Sequence, residues 1–221
     1  MFGLVAMVGT ISGAMYAGRL YMRRRHSAII SAGIALGFSS APDDEVRFPE
    51  IRLLAGKGSL AKYSNVLKGC SARYETVIFD FSYVTGSGRT TRGVSQTVAA
   101  FHLPGANMPD FQLVPRTLAT KIAPLFGAKQ LRFDANPNFS DRYVASGADL
   151  ESAATLFTPG VLSFFEGHST NLLTVEGYWD WIIVYQPERR VRPSDLGGFL
   201  EVSSQIASGL LGQVARPLLA K

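Results

Sequence analysis

The residues able to do chemistry in this chain of 221 residues are few and scattered. Cys70 is the one cysteine, so neither an intrachain disulfide nor a cysteine-pair metal site can form. His26, His102 and His168 stand far apart in sequence, whereas zinc sites draw on histidines and cysteines at close spacing. Gly86-Ser87-Gly88-Arg89 has the composition of a phosphate cradle, but the chain contains no G-x-x-x-x-G-K-[ST]. With alternating apolar residues on both sides, the same four residues read as a hairpin turn. No G-x-S-x-G nucleophile elbow is present either. The expected catalytic, cofactor-binding and metal-binding sets are therefore all empty. One route to a hydrolase is left, a spatial pairing of Cys70 with His102 or His168, and it is the least favoured reading. Cys70 by itself reads as a small, half-buried residue at a strand start. His102, at a strand end, reads as satisfied by its neighbours.

Two other groups stand out by type. Asp80 is a charge between Phe79 and Phe81, and burial there would demand a partner; Arg92 or Gln96 across the hairpin is the expected one. Tyr178, Trp179, Trp181 and Tyr185 form an aromatic concentration. Core packing is the ordinary reading of such a group, and a ligand or partner surface on Tyr178, Trp179 and Trp181 is the sharper one. Arg189, Arg190 and Arg192 lie close behind.

The formal net charge is +5. Arg19, Arg23, Arg24 and Arg25 supply four of the 22 basic residues, leaving 18 against 17 acidic ones in the rest of the chain. A nucleic-acid binder needs a clustered basic face on its folded domain, so no nucleic-acid partner is expected. A hydrophobic fraction of 47% with 18% charged residues argues for a folded domain with a real core.

The elements that would position these residues begin with an uncharged run from Met1 to Gly18, closed by Arg19 and by Arg23, Arg24 and Arg25. As a helix this run spans roughly 27 Å, near the thickness of a bilayer core. Residues 1–25 are therefore expected to form a transmembrane anchor with a basic stop. Arginines stay on the cytoplasmic side, which places the rest of the chain there and makes the Asn138-Phe139-Ser140 sequon a chance match. Gly9, Gly13 and Ala17 repeat at four-residue spacing, a face through which two membrane helices can approach and self-associate.

Residues 26–72 are expected to hold an amphipathic helix over 27–41, using Ile29, Ile30, Ile34 and Phe38, then an irregular lead-in. Residues 73–221 should form the folded domain. Strict alternation predicts strands over 73–84 and 91–102, the first with Val77, Phe79, Phe81 and Tyr83 on one face. Shorter strands follow at 111–114, 131–133 and 143–145. Helices are expected over 117–126, 149–157 and 160–165. A second hairpin joins 171–176 to 179–185 across Gly177-Tyr178, and a long helix covers 194–214. Hairpins, then helices, then a hairpin and a terminal helix make an α+β fold with a mostly antiparallel sheet. A pleckstrin-homology-like barrel with a helical insertion is the alternative.

Several short segments then carry a resemblance: Asn65-Val66-Leu67-Lys68-Gly69, Phe79-Asp80-Phe81-Ser82-Tyr83, Gln96-Thr97-Val98 and Pro109-Asp110-Phe111-Gln112-Leu113-Val114-Pro115. Phe139-Ser140-Asp141-Arg142-Tyr143, Leu156-Phe157 and Val175-Glu176-Gly177 continue it. In that order, from about residue 32 to the C-terminal helix, the chain resembles a family of bacterial membrane-anchored proteins of unknown function. The resemblance implies one or more N-terminal spans followed by a soluble domain, and it brings no activity; with the arginine rule the expected location is the bacterial cytoplasmic membrane. The function expected is an interaction or scaffolding module on the cytoplasmic face, partnered by the membrane and by a protein or a second copy. Binding of a lipid headgroup or small molecule is the alternative.

Overall fold

A computed structural model of the chain describes residues 2–42, 51, 59–72, 74–118, 130–167 and 172–218, without the side chains of 2–15, 17 and 213–218. The helix expected over 117–126 lies almost wholly outside these residues.

The alternating stretch folds as expected, into strands β3 (Tyr74–Thr85) and β4 (Arg92–His102), joined through Gly86-Ser87 and a 3-10 turn at Gly88–Thr90. Val77, Phe79, Phe81 and Tyr83 enter one apolar cluster, while Ile78 enters another on the opposite face. The period-2 geometry of a strand produces this division. Among the described residues the hairpin sits inside a sheet of nine strands, all paired antiparallel. The others are β1 (Ser39–Ser40), β2 (Ser59–Ser71), β5 (Met108–Pro115), β6 (Gln130–Leu131), β7 (Tyr143–Gly147), β8 (Thr174–Trp179) and β9 (Trp181–Tyr185). The spatial order is β1-β2-β3-β4-β9-β8-β5-β7-β6. The sheet is open, with β1 and β6 at its edges, so the α+β reading holds and the barrel alternative does not.

Among the described residues the helices whose bounds are defined are α1 (Phe2–Ala35), α2 (Pro137–Arg142), α3 (Leu150–Ala154), α4 (Pro159–Gly167) and α5 (Leu196–Leu218). Asp149 caps α3 by accepting from the Glu151 and Ser152 amides, and the Ser152 hydroxyl bond, followed by those amide bonds, holds its carboxyl below the usual range. The apolar stripe of α5, including Leu196, Leu200, Ile206 and Leu210, packs into one large cluster with Ile29 of α1 and with residues of α2, α3 and α4.

Ser39–Ser40, expected inside the 27–41 helix, forms β1 instead, paired with β2, and two further strand assignments differ for local reasons. Residues 59–71 form β2, the longest strand, where an irregular lead-in was expected. Its register against β3 shifts between Ser59 and Lys62 and again between Ser64 and Leu67. Leu60 and Asn65, inside the two shifts, take φ of 55° and 56°. Such bulges insert residues that break the alternation by which a strand is recognised. The β8–β9 turn falls at Asp180, with Gly177 inside β8. Gly177 is there because the Phe111 ring lies where a Cβ would be.

The N-terminal region departs most. The two helices expected on either side of the arginines are one helix, α1, of 34 residues and about 51 Å. It ends where Gly37, at φ +86°, lets the Phe38 amide reach the Gly33 carbonyl, a left-handed helix stop. Ile29 and Phe38 are buried as expected, whereas Ile34 is 58% exposed. Among the described residues no helix is long and apolar enough to cross a membrane. The transmembrane reading of 1–25 thus finds no support there. Most of its side chains, Gly9, Gly13 and Ala17 included, lie outside the described ones.

Candidate functional site

The polar centre of the molecule forms around Asp80, which β3 carries into the interior at 1% exposure. Its partners come from four other parts of the chain. Arg25 of α1, 8% exposed, meets it side-on: Nε donates to Oδ2 and Nη2 to Oδ1, each at 2.9 Å. This two-point geometry is the strongest form of a guanidinium–carboxylate contact. Thr97 of β4, directly opposite in register, donates to Oδ1 at 2.7 Å, and Asn65 Nδ2 of β2 donates to Oδ2 at 2.8 Å. The linker between β9 and α5 closes the cluster, since the Val191 carbonyl accepts from Arg25 Nη1 and its amide donates to Thr97 Oγ1, both at 2.9 Å. Outside this shell, His26 Nδ1 lies 2.8 Å from Asn65 Oδ1, and Arg190 Nε is 3.7 Å from Asp80 Oδ2.

Four donated hydrogen bonds occupy the acceptor positions of the Asp80 carboxylate, so it has no lone pair left to act as a base. Its chemistry is that of a fastener: it holds α1, three adjacent strands and the β9–α5 linker to one another. Asp80 was expected to find Arg92 or Gln96, but the register rules both out. Across the hairpin, Asp80 faces Thr97, while Gln96 faces Phe81 and Arg92 faces Thr85, two positions with the opposite side-chain direction. Arg92 pairs with Glu188, and Gln96 accepts from the Glu188 amide.

The same cluster corrects the reading of the arginines. Arg19, Arg23 and Arg24 are exposed. Arg25 is buried and its charge is matched within the domain, so it belongs to the fold.

The aromatic trio does not form one surface. Tyr178 and Trp181 are buried, and the Trp181 ring stacks on His102 at 4.4 Å. Trp179 alone points outward, 69% exposed, with φ at 52°. It borders a shallow cleft of about 740 Å³ with Met108, Asp110, Asp149 and Leu156. Tyr185 is also buried and donates to Glu176 at 2.8 Å. Burial raises its phenol well above the usual value, and the neighbouring Glu176 charge adds to the effect.

Cys70 and His102 do not assemble a catalytic pair. Each sits opposite Glu75, Cys70 on β2 and His102 on β4, so two strand spacings, roughly 10 Å, separate them. Cys70 is exposed where half-burial was expected. Hydrogen bonds from Lys68 and, after it, from His102 hold the Glu75 carboxyl below the usual range. His168 lies outside the described residues. Among the described residues no group of three metal-ligating side chains occurs.

A second cleft, of about 580 Å³, opens beside the Asp80 cluster. Its walls are the β9–α5 linker, with Gln186, Arg189, Arg190, Arg192 and Ser194, and the first turns of α5, with Phe199 and Val202. The three arginines, which with the aromatic cluster motivate the headgroup or small-molecule alternative, are brought together here.

No family model and no curated protein matches the chain. A solved structure that shares the fold is the crystal structure of the mycobacterial trehalose monomycolate transport factor A, TtfA. The TM-score is 0.52 at 15% sequence identity, with 85% of this chain and 93% of that one covered.

Proposed function

We infer that the chain is a membrane-anchored interaction or scaffolding module, with the domain from residue 26 on held at the cytoplasmic face. The observation that carries this reading is the continuity of α1, one unbroken helix from Phe2 to Ala35. Its downstream part is seated in the core through Ile29 and fastened through Arg25, while Tyr16, Leu20, Tyr21 and Met22 are exposed. An uncharged run leading outward from a rigid seat suits an anchor that fixes the domain's distance and orientation at a bilayer. Exposed Arg19, Arg23 and Arg24 support the cytoplasmic side. The saturated Asp80 and the separated Cys70 and His102 favour binding over catalysis.

The test is carbonate extraction of membranes followed by affinity isolation from neutral detergent. The full chain should stay with the membrane, a chain lacking residues 2–18 should be released, and the full chain should bring down a reproducible partner or a second copy. Release of the full chain, or recovery of neither kind of partner, would overturn the reading. A second reading, binding of a lipid headgroup or small molecule, is favoured by the arginine-lined cleft beside α5.

A further inference from the structure

The arginines of the cleft beside α5 are not balanced by their surroundings. Arg189 is exposed; no side-chain hydrogen bond of its guanidinium is found among the described residues, and its charge acts at longer range on Asp195. Arg192 pairs with Asp195 at 2.8 Å on the surface. Arg190 reaches Ser95 through Nη2 at 3.1 Å, while its buried Nε has no hydrogen-bond partner among the described residues. Behind it, Arg25 and Arg190 share the single carboxylate of Asp80. With Glu201 also on the rim, the arginines still exceed the carboxylates by one. The remaining lining is apolar at Leu173, Val191, Phe199 and Val202, and hydrogen-bonding at Gln186 and Ser194. A guanidinium that makes no side-chain hydrogen bond, in a half-apolar cleft with one arginine in excess, suits a phosphate that carries an organic group, since guanidinium forks match phosphate oxygens and the apolar wall takes the attached carbons.

The cleft also has a fixed place relative to α1. Arg190 Nη1 lies 3.5 Å from Met22 Sδ, four residues past Gly18, where the uncharged run ends. Four residues of helix rise about 6 Å, within the depth of a headgroup layer. We propose that this cleft is a binding site for a phosphate ester, and that the anchor sets it at the level where the phosphate is that of an anionic membrane lipid. The proposal rests on the ligand-binding reading above for the site and on the anchor reading for its depth, and it adds the ligand's chemistry.

The test uses the full chain in neutral maltoside micelles, with amide chemical shifts followed during titration. The probes are glycerol 3-phosphate, dihexanoyl-phosphatidylglycerol and phosphate-free dihexanoylglycerol. Both phosphate probes should bind, and the double variant Arg189→Gln/Arg192→Gln should weaken them at least about tenfold, the scale of a lost charged hydrogen bond. Both side chains are exposed, so the fold should be retained. Arg23→Gln/Arg24→Gln, which removes the same charge outside the cleft, should change affinity by less than about threefold, as screened charges do. Tighter binding of the lipid than of glycerol 3-phosphate assigns the phosphate to a membrane lipid. Equal binding keeps the phosphate site and assigns it to a soluble ester. Equal weakening by both double variants, or none by either, overturns the site. Binding of dihexanoylglycerol alone overturns the phosphate assignment while leaving a small-molecule cleft, and binding of no probe overturns both.

Discussion

Changing Asp80 to asparagine keeps the side chain's shape and removes the charge on which four donors converge. The new amide turns an N–H₂ toward at least one of them, and Arg25, with its side chain 7% exposed, loses its buried counter-ion. Breaking a buried pair from one side costs about 3–5 kcal/mol, because the remaining charge stays desolvated. Against a total stability of about 5–15 kcal/mol that loss is large. Adding Arg25→Met removes the stranded cation. The double variant should therefore be at least about 2 kcal/mol more stable than the two single losses added together. Urea unfolding of the full chain in neutral detergent, followed by the fluorescence of buried Trp181, measures each corner of the cycle. A loss below about 1 kcal/mol for Asp80→Asn, or additive losses, would refute the view that this pair fastens α1 to the sheet.

Two further outcomes follow from the packing and the charges. Gly177→Ala places a methyl group against the Phe111 ring and should cost about 1–3 kcal/mol by thermal unfolding, part of it recovered with Phe111→Leu. The carboxyl of Glu75 is held below its ordinary value by Lys68 and His102, so its contribution is present above the unfolded pKa and fades as pH falls through the lower, folded one. Glu75→Gln should flatten the acid side of the stability profile, below about pH 4.5, by under about 1 kcal/mol, since the pair is near the surface.

How much of this was legible depended on whether a feature was local. The β3–β4 hairpin could be read because its alternation is strict and its glycine-rich turn lies between the strands. β2 could not, because the bulges at Leu60 and Asn65 shift side chains out of phase. The arginine run 23–25 looked like a boundary between two helices. A helix can pass through such a run when one arginine, here Arg25, turns inward to a buried carboxylate and the others stay in water. Asp80 was recognisable as a charge in need of a partner, but its partner depended on register and on α1 packing across 55 residues of sequence. Asn65, Asp80 and Thr97 all lie within segments that carry the family resemblance, although nothing in those segments says that they meet. The arginines of the second cleft were visible as residues, but the cleft required the turn from β9 into α5.

The central claim, that α1 carries the domain from a membrane seat to the cytoplasmic face, can be tested on the native chain because Cys70 is its one cysteine and is exposed. A membrane-impermeant maleimide applied to intact bacterial cells and to lysed ones reads the side directly. The account predicts that membrane-bound chain is labelled at Cys70 only after lysis. Labelling in intact cells, or chain that is labelled after lysis but is absent from the membrane fraction, would contradict it.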